Sequence, residues 1–351
     1  MYEEPKIDAQ FLPRADDQLV NVMTESSPLV TIGMPTYNRE WSINQVLQSM
    51  LQLDYPKSRL RICFVDNEST DATVSILRDF QSAHKEEYER IVIDIARSNI
   101  SKARNLCFER AKGTDYVFFL DSDILTPPDT LRRLLVHFAE HADLGIASLP
   151  WDNKNARKRA GILYDAFLPP EKGEFAYKVG NGCNLISLKV VEKIGYFNEG
   201  LRVHEDGEFC YRARRAGFKI LCDFSSEGHH LRDIRVDARF YASFIGDSAD
   251  TYSQLLRDGS GFHYAKYVSS LLLVALAVVF AISPSVLSGL LFLFVVIFSM
   301  WLNTSRQLLD DGIRVKAAYR PVIGAVFALA TVCIVFVSLA RMIGFSVGKK
   351  V

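Results

Sequence analysis

Short apolar runs that stop abruptly at acidic, turn-forming clusters set the pattern of the first two-thirds of this chain. Leu29–Met34 runs into Pro35-Thr36-Tyr37-Asn38, and Leu60–Val65 into Asp66-Asn67-Glu68-Ser69-Thr70-Asp71. Tyr116–Leu120 runs into Asp121-Ser122-Asp123. Runs rich in β-branched and aromatic residues, closed by such clusters, read as strands ending in turns. Helical spacing lies between them: Trp41, Ile43, Val46, Leu47, Met50 and Leu51, then about 72–88, about 101–112 and about 129–142. Further strands are expected at Ile91–Ala96 and Leu144–Leu149, and a second αβ portion from Gly180 to about Asp223. The alternation predicts an α/β fold with a mostly parallel, Rossmann-like sheet covered on both faces. Ligands of such sheets bind beyond the carboxyl ends of the strands, where the polar clusters after Met34, Val65 and Leu120 fall.

The last third follows a different rule. Apolar stretches at about 267–282 and 286–302 flank Ser283-Pro284-Ser285, and 321–340 carries no charge. One membrane crossing needs ~20 apolar residues. The expected organisation is an arm at 1–27, a catalytic domain at 28–232, an amphipathic interfacial segment at 233–264 and a transmembrane region at 265–345. The loop at 303–320 carries Arg306, Arg314, Lys316 and Arg320, and the positive-inside rule places it in the cytoplasm. The chain then reads as an integral membrane protein whose catalytic domain is cytoplasmic. Arg341, Lys349 and Lys350 fall outside after a third crossing, so a re-entrant third segment stays open as the alternative.

Charge and cysteine usage exclude several classes. Lys plus Arg and Asp plus Glu both number 41, so the basic excess of a phosphate-driven nucleic-acid binder is missing. With 49% hydrophobic residues the chain is not a disordered acidic one. The cysteines at 63, 107, 183, 210, 222 and 333 form no CxxC pair, which argues against structural zinc. They read as small buried hydrophobes in a reducing compartment. The start of the chain, Met1–Arg14, is acidic and does not read as a signal peptide.

Five clusters are candidates for chemistry. Asp121 and Asp123, at the end of an apolar strand, suit Mg²⁺ or Mn²⁺, which prefer carboxylate oxygens and bridge to phosphates. Asp66 is placed to accept hydrogen bonds from a base, with Ser69, Thr70 or Asp71 capping the next helix. Basic residues from Arg97 to Arg104, around a helix start, suit an anion, with a solvated basic face as the alternative. Glu205, Asp206 and Glu208 stand at another helix start, where a carboxylate near an acceptor hydroxyl serves as general base. His230, in the pair His229-His230, is a candidate metal ligand, with a partly exposed pair of no such role as the alternative.

Taken in order, Met-Pro-Thr-Tyr-Asn, Val-Asp-Asn-Glu-Ser-Thr-Asp, Ala-Arg-Asn, Asp-Ser-Asp, Gly-Asn-Gly-Cys-Asn and Glu-Asp resemble glycosyltransferase family 2, with its GT-A fold, over roughly residues 28–225. The resemblance implies a nucleotide-sugar donor, a UDP- or GDP-sugar, and inversion at the anomeric centre. By it, Pro35, Tyr37 and Asp66 hold base and ribose, Arg104 lies near the phosphates, Asp121 touches the nucleotide and Asp123 the metal. Asp206 is then the base with Glu205 beside it, and Gly182 and Asn184 line the acceptor side. The chain departs from the family where Asn67-Glu68 replaces an Asp-Gly, and the missing glycine is expected to alter that turn. No Gln-x-x-Arg-Trp occurs, so the processive polymerases match poorly. The Glu-Asp element favours a hydroxyl acceptor on a lipid-linked or cell-surface glycan, met at the membrane lipid. Transfer to dolichyl or undecaprenyl phosphate is the alternative enzyme, and an inactive membrane scaffold the alternative class.

Overall fold

The computed structural model describes residues 27–152, 167–168, 174–175, 182–201, 203–223, 225–232 and 314–315. The arm before residue 27, the basic residues Lys154, Arg157, Lys158 and Arg159, the 233–264 segment and all three expected spans lie outside the described residues. Among the described residues no helix is long and apolar enough to cross a membrane.

The chain runs β1 (Val30–Thr36), α1 (Ile43–Leu51), β2 (Leu60–Asp66), α2 (Thr73–His84), β3 (Arg90–Ile95), α3 (Ile100–Arg110), β4 (Tyr116–Leu120), β5 (Ile124–Leu125) and α4 (Thr130–Glu140). It continues through β6 (Leu144–Ser148), β7 (Trp151–Asp152), β8 (Phe167–Leu168), β9 (Glu174–Phe175), β10 (Cys183–Ser187) and α5 (Leu188–Ile194). Then come α6 (Glu205–Arg215), β11 (Lys219–Cys222), β12 (Gly228–His230) and β13 (Arg314–Val315). Eight strands form one sheet in the order β3-β2-β1-β4-β10-β6-β11-β9. Neighbours from β3 to β4 are parallel, as is β6 with β11. The expected parallel sheet is interrupted by β10, which runs antiparallel between β4 and β6. That insertion sets Gly182 beside Asp121, whose N–H donates to the Gly182 carbonyl at 3.0 Å.

Both faces are covered, and the strand period of two divides the apolar residues between them. Ile32, Met34, Ile62, Phe64, Phe118 and Leu120 join the core under α1, α2 and α4. Cys63, Val65, Val117 and Phe119 join Ala103, Cys107, Phe108 and Phe209 on the other side. Each fully buried phenylalanine contributes about 1.5–3 kcal/mol. Gly33 has a packing reason to be glycine: an added Cβ would stand 3.0 Å from the Cys107 Cβ on α3. The five described cysteines are free and buried, as expected of small apolar fillers; Cys333 lies outside the described residues.

Several boundaries differ from expectation. Pro35 and Thr36 belong to β1, not to the turn after it. The register with β4 ends at Gly33, and Thr36 points its carbonyl at Asn67 on the β2 side. Pro35 therefore turns its ring nitrogen to the side where no ladder bond is lost. Trp41 precedes α1 and is 47% exposed. The helix after Asp71 ends at His84, not near 88.

Candidate active site

The ends of β1, β2 and β4 converge, and each places a different chemistry there. At the end of β2, Asp66 is fully buried. Its Oδ2 accepts from the Thr36 hydroxyl at 3.0 Å and the Ser69 hydroxyl at 2.6 Å, and its Oδ1 from the Ser69 N–H at 2.7 Å. Asp66 is thus spent on shaping its own loop and shows no exposed edge to a base. Pro35 is buried beside it, whereas Tyr37 is 50% exposed. Glu68 adopts φ 55°, the left-handed conformation a glycine takes most readily. The departure from Asp-Gly therefore leaves the turn's backbone in a glycine-like shape, with an exposed carboxylate displayed on it. Of the three expected caps only Asp71 serves the following helix, accepting from the Thr73 N–H at 3.0 Å. Ser69 is committed to Asp66.

A cleft of 370 Å³ opens beside this loop, lined by Asn67, Arg97, Ser98, Asn99, Lys102 and Glu199. It lies toward β3 rather than over Asp121 and Asp123. Arg97 and Lys102 are both exposed.

At the end of β4 the balance reverses. Asp123 is 5% exposed. Arg39 Nε stands 3.7 Å from its Oδ2, and His230 Nε2 3.7 Å from its Oδ1. The pairing of β12 with β5, His230 opposite Ile124, brings that histidine in from 107 residues downstream of Asp123. His230 Nδ1 lies 3.1 Å from the Arg232 carbonyl, which can only accept, so Nδ1 bears a proton and Nε2 is the nitrogen that faces Asp123. Half-buried Asp121 has its carboxyl pushed up by burial; the Arg104 guanidinium opposes this and the Asp123 carboxylate adds to it. The turn itself is clamped, the Ser42 hydroxyl donating to the Ser122 carbonyl at 2.8 Å and the Leu231 N–H to the Asp123 carbonyl at 2.8 Å.

The start of α6 supplies the second group of acids. His204 enters the helix at φ 62°, turning the chain sharply before Glu205. Glu208 is held by Arg212 in a two-pronged pair at 2.7 and 2.9 Å. Glu205 pairs with Arg104 at 2.6 Å. Burial is the main reason its carboxyl lies above the ordinary range; Asp206 adds and Arg104 opposes. Asp206 accepts from the Gly207 N–H at 2.7 Å, and among the described residues no guanidinium or ammonium stands within ion-pair distance of it.

The structure thus links Asp121 through Arg104 to Glu205 and its neighbour Asp206, while Asp123 stands beside His230. Arg104 is 4% exposed and faces Asp121 at 3.4 Å and Glu205 at 2.6 Å, while its buried Nε has no hydrogen-bond partner. Asn184 is placed within the sheet and is 1% exposed. Sequence reasoning passed over Arg39 and Ser42. A basic residue and a hydroxyl directly after a strand-end cluster were the available signal.

Residues 31–185 match glycosyl transferase family 2. The chain is 29% identical to glycosyltransferase AglE of Haloferax volcanii over 212 residues, 59% of this chain and 68% of that protein. It is 31% identical to the poly(ribitol-phosphate) β-N-acetylglucosaminyltransferase TarS of Staphylococcus aureus over 111 residues, 32% of this chain but only 19% of that one. In structure it is similar to the mannosyltransferase PcManGT of Pyrobaculum calidifontis, solved with GDP-Man and Mn²⁺. The TM-score is 0.58 at 19% identity, covering 91% of this chain and 88% of that one, a likeness of fold. With a mixed, mostly parallel GT-A-like sheet and its motif residues at the strand ends, residues 31–185 are similar to glycosyl transferase family 2, and the chain is a glycosyltransferase.

Proposed function

We propose that the chain transfers one sugar, with inversion, from a UDP- or GDP-sugar to a hydroxyl of a lipid-linked or cell-surface glycan, with Asp206 as general base. The observation that carries this is the division of labour at the start of α6. Glu205 and Glu208 are each committed to an arginine, and Asp206 is not. An acceptor hydroxyl has a pKa far above neutrality and gains from a positioned base, typically 10²–10⁴-fold. A phosphate acceptor gains little from one, which sets the polyprenyl-phosphate reading second.

The donor set fits a divalent cation. Asp121, Asp123, Glu205 and Asp206 are four carboxylates against the two guanidiniums of Arg39 and Arg104, leaving a negative excess that Mn²⁺ or Mg²⁺ would balance. Asp123, Asp121 and His230 Nε2 are the ligands the chain would offer. Among the described residues no three such side chains close around one point, so donor phosphate oxygens would complete the shell. When bound, the metal neutralises charge on the departing diphosphate. The cleft by Asn67, with exposed Arg97 and Lys102, suits the polar nucleoside. GDP-Man in the Pyrobaculum protein is a donor of this chemical class.

The membrane reading rests on the sequence at 265–345. It is supported by β13, in the basic 303–320 loop, which pairs antiparallel with β8 of the catalytic part. Such pairing requires loop and domain to share a side, the cytoplasmic one by the positive-inside rule.

Asp206→Asn tests the function. It keeps shape and helix-start polarity but removes the base. The full chain in detergent is expected to bind donor nucleotide as wild type does and to turn over about a hundredfold more slowly or worse. Wild-type turnover would move the base elsewhere or make the acceptor a phosphate.

A further inference from the structure

The start of α6 is not held by its own capping. No side chain caps the helix at His204, and the segment leading into it is fastened to α3 instead. The Asn99 amide donates to the Glu199 carbonyl at 2.6 Å, and the Ser101 hydroxyl to the Leu201 carbonyl at 3.2 Å. Asn105 accepts from the Phe197 N–H at 2.9 Å and donates to the Phe197 carbonyl at 3.0 Å. The last fastening is Arg104. One NH group meets Glu205 at 2.6 Å, and the other meets Asp121 at 3.4 Å. Its Cζ stands 5.9 Å from the ring centroids of both Phe119 and Phe197, which are themselves 6.1 Å apart, so both rings pack to one side of it. A planar cation packed against two rings and forked to two carboxylates has little freedom to swing toward a ligand.

We infer that Arg104 is a positioning residue: it ties Asp121 of the donor side to Glu205 of the acceptor side and so fixes the first turn of α6, on which Asp206 stands. Glu205 acts with it as the anchor of that turn rather than as a second base. This rests on Asp206 being the base. A lysine is a point charge and cannot reach both carboxylates at once, so the assignment distinguishes charge from geometry. It also differs from a phosphate-binding role, in which Arg104 would contribute to nucleotide affinity.

The test uses the full chain in detergent with three readouts: UDP and GDP affinity by calorimetry with MnCl₂, turnover of UDP-GlcNAc or GDP-mannose, and hydrogen exchange of a peptide spanning Glu205–Arg215. Arg104→Met is expected to leave nucleotide Kd within about threefold of wild type. Turnover should fall about a hundredfold, as displacement of a catalytic group by roughly 1 Å can do. Amide exchange at the start of α6 should rise about tenfold. The double variant Arg104→Met with Glu205→Gln should lose no more turnover than Arg104→Met alone, because both changes cut one link. Arg104→Lys, which preserves the buried charge, should recover part of the turnover, and it carries the same readouts if Arg104→Met does not fold. Nucleotide affinity weakened about tenfold with unchanged α6 exchange would overturn the inference and put Arg104 on the donor. Additive losses in the double variant would overturn it too. Asp206→Asn in the same assay keeps the two claims apart. If that variant turns over normally, the base reading falls, while the exchange of α6 in Arg104→Met still decides whether Arg104 positions that turn.

Discussion

Two strand ends of the same sheet carry a buried aspartate, and they treat it in opposite ways. Asp66, after β2, is saturated by Thr36 and Ser69, and its charge is absorbed by donors a few residues away. Asp123, after β4, shares its surroundings with Asp121 and has only Arg39 and His230 near it, each at 3.7 Å. The first arrangement holds a loop in shape. The second leaves unbalanced negative charge, which the proposed cation would offset. Position at a strand end selects candidates; the balance of donors around each carboxylate decides which of them does chemistry.

The widest gap between the two ends should appear in Asp123→Ala. Removing one electrostatic partner of a developing charge costs 10²–10³-fold in turnover, on the order of the loss expected here. The melting temperature should hold or rise, since a repelling carboxylate is gone. Turnover and thermal unfolding measured side by side on Asp123→Ala and Asp66→Ala would collapse the comparison if both variants lost the same property.

Asp66→Ala should do the converse. It leaves the Thr36 and Ser69 donors without their acceptor, at about 1–3 kcal/mol for each buried group so orphaned. A urea titration should show a lowered midpoint, and nucleotide affinity should fall only as far as the loop loosens.

How much of this was legible in the residues alone depends on range. The alternation of apolar runs and helical periods located β2, β4 and α3 nearly to the residue, because burial on both faces writes itself into consecutive side chains. Asp121, Asp123 and Asp206 were visible as strand-end and helix-start acids. The antiparallel β10 was not, since strand direction is decided by partners far along the chain. Nor was the commitment of Glu205 to Arg104, 101 residues away, or of Glu208 to Arg212, which leaves Asp206 free of an arginine. Pro35 misled by its usual place in turns; only the end of the β4 register shows why a strand tolerates it.

A smaller effect lies away from the site. Burial alone would raise Asp223, but His137 Nε2 at 3.2 Å and the Ser225 N–H at 2.8 Å hold its carboxyl down to about 2. A carboxylate depressed below its unfolded value of about 3.9 adds stability above that pH and loses it as pH falls toward the folded value. Asp223→Asn should therefore lower the urea midpoint at pH 6, and the difference from wild type should vanish between about pH 4 and pH 2. A constant difference across that window would mean that packing, not ionisation, is at stake.

The smallest change sharpens the Asp66 side. Glu68→Gly relieves a left-handed glutamate at φ 55°. A non-glycine residue in that region costs roughly 1–2 kcal/mol, partly offset by the entropy a glycine loses on folding. Stability should rise by about 0.5 kcal/mol, read from the urea midpoint, with turnover unchanged.

Calorimetric titration of UDP and GDP into the full chain, with and without MnCl₂, tests the central contrast most directly. At least one nucleotide should bind wild type about tenfold or more tightly with the metal present, Asp66→Ala should keep that metal response, and Asp123→Ala should lose it. Metal-independent binding in wild type, or a metal response that survives Asp123→Ala, would contradict the assignment of the β4 strand end as the chemical one.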